Sequence, residues 1–269
     1  MPIYICQECG TSFAEASPPK RCPICEDERQ YVPPTGQAWV TPDELNATHV
    51  NAWRRLEPNL FEIHTEPDFA IGQRALLLRT SIGNFLWDCI ALIDDATIEL
   101  IRGLGGLAGI AISHPHYYTR CQDWASAFNC PVYLHAADQE WVMRPDPAIQ
   151  FWEGNTLVLG HDVTLIRLGG HFPGSAALYW TTGDDNDGVL LTGDTVQVVA
   201  GSNRVTFLWS YPNRIPLSAH TVRRIADSLK QWRIDRLYGF SVGLQIARAA
   251  STAIEYSAQR YIDLLSEDH

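Results

Sequence analysis

Three apolar runs, each ending in a residue that can hold a metal ion, constrain this chain most. Ile110, Ala111 and Ile112 lead into His114-Pro115-His116. The run Val163-Thr164-Leu165-Ile166-Arg167-Leu168-Gly169-Gly170 ends at His171, and Val189-Leu190-Leu191-Thr192-Gly193 ends at Asp194. In an extended segment alternate side chains point the same way, so His114 and His116 can grip one ion. Pro115 holds the residue before it extended and stiffens the turn. Three strand ends that each carry a ligand predict one metal centre at one edge of a sheet. Three imidazoles and a carboxylate suit zinc or iron, with a position left for water.

A second set of ligands opens the chain. Cys6-x2-Cys9 and Cys22-x2-Cys25 form two knuckles twelve residues apart. Each can supply two thiolates to a tetrahedral ion, with Gly10 allowing the tight turn after the first. A segment this short buries too little core to fold alone, so its metal folds it. The other cysteines, Cys89, Cys121 and Cys130, are scattered, which is not the pattern of a disulfide framework.

The chain has 269 residues, enough for one large domain and a small one. Its formal charge of −11 lacks the basic balance of a nucleic-acid surface. The N-terminus, Met1-Pro2-Ile3-Tyr4-Ile5-Cys6, is no signal peptide, and no apolar stretch is long enough to span a bilayer. The expected location is the cytoplasm, with neither nucleic acid nor membrane as partner.

The expected organisation is a metal-stabilised segment over residues 1–30, a linker over 31–58 and a main domain over 59–269. Within the linker, Thr41-Pro42-Asp43 predicts a helix over about 42–55, docking Leu45, His49, Ala52 and Trp53. Beyond it strands and helices alternate. Strands are expected at 75–80, 84–87, 107–112, 131–134, 156–159, 163–168, 178–181 and 189–191. Helices are expected at 95–102, 119–128, 135–143, 221–232 and 242–266. The acidic turn holding Asp184, Asp185 and Asp187 reads as a hairpin loop rather than a calcium site.

Four segments, in order, resemble the motifs of the metallo-β-lactamase superfamily over roughly residue 59 to the C-terminus. They are Asn84-Phe85-Leu86-Trp87-Asp88, Ser113-His114-Pro115-His116, Gly170-His171-Phe172-Pro173-Gly174-Ser175 and Leu191-Thr192-Gly193-Asp194. The resemblance implies an α/β fold: an αβ/βα sandwich of two mixed β-sheets, helices outside, with the site at one sheet edge. It also implies that Asp88 supports the ligand loop, while Asp194 is a fourth ligand or orients the reacting water and takes its proton. The departures are equally specific. Tyr118-Thr119 stands where the family has Asp-His, and Phe240 where its last histidine would be. Those positions serve a second metal, so one metal is expected, at His114, His116, His171 and Asp194. The N-terminal pattern is similar to the rubredoxin-like segment of rubrerythrins and more loosely to a zinc ribbon, which leaves zinc or iron open there.

Three functions fit these residues. One is a hydrolase of a small-molecule substrate that uses a single metal-activated water. Another is mononuclear iron redox chemistry like that of persulfide dioxygenases, in which His114, His171 and Asp194 match the iron ligands. The last is a non-catalytic protein whose ribbon binds a protein partner. Around the site, Tyr117 and Tyr118 read as a wall, Cys121 as core and His135 as a cap. Arg214 could meet a substrate carboxylate or phosphate. The C-terminal helical run, with Ile246, Ala249, Ala250 and Ile254, could cover the core or face a second subunit.

Overall fold

The computed structural model describes residues 1–181 and 187–266. Asp184 and Asp185 of the acidic turn lie outside the described residues. Asp187 lies within them and pairs with Arg233 at 2.5 Å.

Two mixed sheets face one another. The first has seven strands, in the spatial order Ile149–Trp152, Val132–His135, Gly109–Ala111, Gly83–Trp87, Arg74–Thr80, Leu60–Glu66 and Val50–Glu57. The second has six: Thr156–Val158, Val163–Arg167, Ala176–Trp180, Val189–Thr192, Arg236–Tyr238 and Gln245–Ile246. Both contain parallel and antiparallel pairs. Leu76, Leu78, Phe85 and Trp87 of the first sheet meet Leu165, Leu178, Val189 and Leu191 of the second in the central layer.

Helices cover the outer faces, which explains why the inner strands read as continuous apolar runs instead of alternating ones. Leu77 and Leu86 turn outward to pack with Ile101 and Trp124, on the helices Asp95–Gly103 and Cys121–Phe128. Leu190 turns outward to Val222, Ile225 and Ile254, on Ala219–Leu229 and Ala250–Ser266. In Ala219–Leu229 the buried positions Val222, Ile225, Ala226 and Leu229 form one helical stripe. Among the described residues, no helix is long and apolar enough to cross a membrane.

Three expected elements differ. The linker helix is Pro42–Thr48, closed by a Thr41–Glu44 capping box, and the chain then turns to the strand Val50–Glu57. Tertiary pairing with Leu60–Glu66 overrides helix propensity there. Residues 135–143 are not an α-helix: Ala136–Trp141 is a 3-10 segment kinked at Asp138, with His135 as its cap. The last helix begins only at Ala250, because Gly243 adopts φ +79° and the chain adds the strand Gln245–Ile246 first.

The N-terminal segment forms its own three-stranded sheet, Ser12–Ala14, Ile3–Cys6 and Trp39–Val40. Its cysteines are buried against Phe13, Ile24 and Trp39, and also against Trp141 and Met143 of the main body.

Candidate metal centre

His114 follows the strand Gly109–Ala111, His171 follows Val163–Arg167 and Asp194 follows Val189–Thr192. All three strands deliver their ligand at one edge of the sandwich. His114 is extended, but His116 is not its strand neighbour: Pro115–Tyr117 is a 3-10 turn. The pair converges because the two rings present different nitrogens. Asp194 Oδ2 lies 3.5 Å from His114 Nε2, 3.9 Å from His116 Nδ1 and 3.7 Å from His171 Nε2. His171 Nε2 and His116 Nδ1 are 3.3 Å apart. A tetrahedral ion with bonds near 2.0–2.1 Å needs its ligand atoms about 3.3–3.4 Å apart. The donor set therefore fits one cation with a small inward adjustment.

One supporting hydrogen bond selects a tautomer that a metal requires, that of His171. His171 Nδ1 donates to the Trp209 carbonyl at 2.8 Å, which leaves Nε2 with its lone pair inward. Ser113 Oγ pairs with His114 Nδ1 at 2.9 Å, and the buried His114 Nε2 has no hydrogen-bond partner. Burial pushes His116 down to about 4 and His171 well below the usual imidazole range, so both rings are neutral near pH 7. Burial works to raise the Asp194 carboxyl, but the three imidazoles hold it well below the usual carboxylate range.

Asp88 does not face the centre. Its Oδ1 accepts the Ser113 amide at 2.7 Å and so ties down the ligand loop, from a backbone position with φ +61°. Burial raises its carboxyl to about 8. Gly193 closes the other side, because a Cβ there would sit 2.3 Å from Ser113 Oγ.

Beside the four donors, Tyr117, Tyr118, Thr119 and Phe240 are engaged in packing and hydrogen bonds. Tyr117 donates to Asp194 Oδ1 at 2.7 Å, and Phe240 stacks on Tyr117 with centroids 6.4 Å apart. Tyr118 packs in the outer core with Cys121. The Thr119 carbonyl accepts from Ser12 N at 3.1 Å and Ser12 Oγ at 2.8 Å, so this position holds the ribbon.

A cavity of about 460 Å³ opens on the centre. His116, Tyr117, Asp194 and Tyr211 line it, together with Arg29 of the N-terminal segment and Tyr31 just after it. A larger cavity, about 580 Å³, lies beyond the Gly169-Gly170 turn and none of the four donors lines it. Arg214 is exposed and lies outside the centre's cavity.

Sequence reasoning missed Arg29, Trp209 and Tyr211. Tyr211 donates to the Asp194 carbonyl. Asp138 was missed too: it is buried and its Oδ1 accepts the Gly174 amide at 2.7 Å. None of these carried a sequence signal; Asp138 sits in the ordinary polar run Asp138-Gln139-Glu140.

In the N-terminal segment, Cys6 and Cys25 are 3.6 Å apart, as are Cys9 and Cys22. Four thiolates on one ion at 2.3 Å sit about 3.8 Å apart. Burial holds the Cys9 thiol well above its ordinary value, and a cation in the middle would remove that cost. Both clusters are therefore candidate metal sites, each with its ligand atoms within 4.8 Å of one another.

No family model matches the chain. It is 45% identical to the uncharacterized protein YmaE of Bacillus subtilis (strain 168), over all of this chain and 98% of the relative. Among solved structures, the DIM-1 metallo-β-lactamase superposes with a TM-score of 0.55 at 14% identity, covering 77% of this chain and 97% of that one. A metallo-β-lactamase family protein from Thermus thermophilus gives a TM-score of 0.53 at 18% identity, covering 79% and 82%. With the two-sheet sandwich and the ligand-bearing strand ends already established, the chain belongs to one family with YmaE and has the metallo-β-lactamase fold.

Proposed function

We propose that the chain is a mononuclear metal-dependent hydrolase of a small-molecule substrate. The observation that carries this is the convergence of His114 Nε2, His116 Nδ1, His171 Nε2 and Asp194 Oδ2 at the wall of an open cavity. Tyr118, Thr119 and Phe240, at the positions where the resembled family carries second-site ligands, support one metal instead of two. Zinc is the proposed ion, held by the three histidines and Asp194; zinc is also proposed for the four cysteines. When bound, the ion at the histidine centre supplies Lewis-acid activation of water at near-neutral pH.

The chain's own residues then set the geometry. Asp194 is the fourth ligand: Tyr117 engages its Oδ1, which leaves Oδ2 facing the imidazoles. The Trp209 carbonyl holds the His171 tautomer, and Ser113 Oγ positions the His114 ring. Asp88 is a positioning residue acting through the Ser113 amide. Tyr211, at the cavity wall, fixes the Asp194 backbone. Seven cysteines, all free and all buried, suit a reducing compartment and support a cytoplasmic location.

The test is metal content together with turnover on a panel of thioesters, lactones and phosphodiesters. The expected outcome is one ion at the histidine centre and hydrolysis of at least one class, both lost with His171→Ala. Retained iron with oxygen consumption and no hydrolysis would overturn the proposal in favour of redox chemistry.

A further inference from the structure

The N-terminal ribbon does more than sit beside the main body. Arg29 reaches from it into the metal centre, and its side chain is buried among three aromatic rings. Its guanidinium lies 3.7 Å from the Phe172 centroid and 5.4 Å from those of Trp141 and Trp209. Arg29 Nη1 donates to the carbonyl of the ligand His171 at 3.1 Å. Asp27 fixes the rest of the fork, accepting from Nε at 2.6 Å and Nη2 at 2.9 Å. One planar side chain therefore touches the His171 backbone, the ring after it and the tryptophan whose carbonyl orients the His171 imidazole.

Two further anchors fix where Arg29 starts. The Glu28 carbonyl accepts from Ser210 Oγ at 2.7 Å and Asn213 Nδ2 at 2.8 Å, on the segment that carries Trp209 and Tyr211. On the opposite side, Ser12 bonds the Thr119 carbonyl just after the His114–His116 turn. The ribbon thus bridges the loop of His171 and the loop of His114 and His116. The Asp27-Glu28-Arg29 segment begins two residues after Cys25, so its path depends on the fold of the four-cysteine cluster.

We propose that the ribbon clamps the histidine centre: Arg29 is a positioning residue for His171, and folding of the ribbon around its own ion sets the affinity of the centre for metal. This rests on the histidines holding a metal, not on the reaction that follows. Orienting groups of this kind change metal affinity by about 10–100-fold when lost.

Cobalt(II) titration of the metal-stripped full chain tests it, because the two sites give separate signals. Thiolate charge-transfer bands report the ribbon, and visible d–d bands free of thiolate character report the histidine centre. Arg29→Ala is expected to weaken cobalt binding at the histidine centre by about tenfold or more and leave the thiolate bands unchanged. Arg29→Lys is expected to recover part of the loss, since it restores a donor but not the stacked plane. Arg21→Ala, at a ribbon arginine paired only with Glu26 on the surface, is expected to change neither signal. Cys22→Ser is expected to weaken both. If Arg29→Ala does not fold, Asp27→Asn, which releases the fork, carries the same comparison. Equal cobalt affinity at the histidine centre in wild type and Arg29→Ala would overturn the clamp and leave the hydrolase proposal standing. Cobalt bound normally in wild type without turnover would overturn the hydrolase and leave the clamp measurable. A wild-type centre that takes no cobalt would overturn both.

Discussion

Asp138 shows how much a single carboxyl can carry outside the ligand set. It is 1% exposed, its Oδ1 accepts the Gly174 amide and its Oδ2 has no hydrogen-bond partner. Burial raises its pKa to about 6. Its folded value thus lies above its unfolded one of 3.8. The stability it contributes is full below about pH 4 and is lost as pH rises through about 6. At 1.36 kcal/mol per unit, the ionised form costs on the order of 3 kcal/mol at pH 7. Asp138→Asn keeps an acceptor for Gly174 without the charge. It should raise the melting temperature at pH 7.5 and leave it nearly unchanged at pH 4, as measured by calorimetry at both values. An equal shift at the two pH values would show that the carboxyl is ionised throughout. Gly174 itself leaves no room for adjustment, since a Cβ there would lie 2.8 Å from the Asp138 carboxyl carbon.

At the scale of elements, each ligand depends on the turn that follows its strand. Gly169 and Gly170 both adopt positive φ, which lets the chain reverse at the end of Val163–Arg167 and present His171 inward. Gly193 does a different task. Its backbone is ordinary, but it leaves room for the Ser113–His114 hydrogen bond of the neighbouring turn. Gly193→Ala should push Ser113 away, cost about 1–3 kcal/mol by overpacking and lower metal affinity at the histidine centre at least tenfold. Urea denaturation of the metal-free protein and a chelator competition separate the two effects. Unchanged affinity would mean that Ser113 does not orient His114. The edge strand Val50–Glu57 follows another rule. It carries Arg54 and Arg55 on the rim of the first sheet, where charge discourages pairing with a second chain.

Across the molecule, a buried ion pair within the first sheet also holds a loop of the second. Arg74, in the first sheet, pairs with Glu62 at 2.5 Å, both side chains fully buried. Its other nitrogens donate to the carbonyls of Gly239 at 3.0 Å and Leu244 at 3.1 Å in the second sheet's connecting loop. That loop carries Phe240, whose carbonyl accepts the Arg74 amide and whose ring packs on Tyr117. Arg74→Leu would strand a buried carboxylate, leaving Glu62 only the half-exposed Arg54. It should destabilise the fold by about 3–5 kcal/mol, read from the denaturant midpoint. A loss under about 1 kcal/mol would show that Arg54 alone satisfies Glu62.

The sandwich and the two candidate ligand groups were legible in the sequence because metal chemistry admits few residue types and buried strands admit few patterns. Cys6, Cys9, Cys22 and Cys25 announce themselves by type and paired spacing, and His114, His116, His171 and Asp194 by type and place after apolar runs. The departures from the resembled family's motifs at Tyr118, Thr119 and Phe240 were equally plain. Only the tertiary structure decided how His116 reaches the centre, since a 3-10 turn and the choice of Nδ1 replace the strand period. It alone decided that residues 50–57 pair as a strand, because the partner strand outweighs local propensity. It also decided the role of Arg29. A backbone carbonyl carries no residue type, so nothing in the sequence marks His171 as the acceptor for a side chain 142 positions earlier. Long-range contacts to anonymous backbone atoms form only when the whole chain is packed, and there they join the ribbon to the centre.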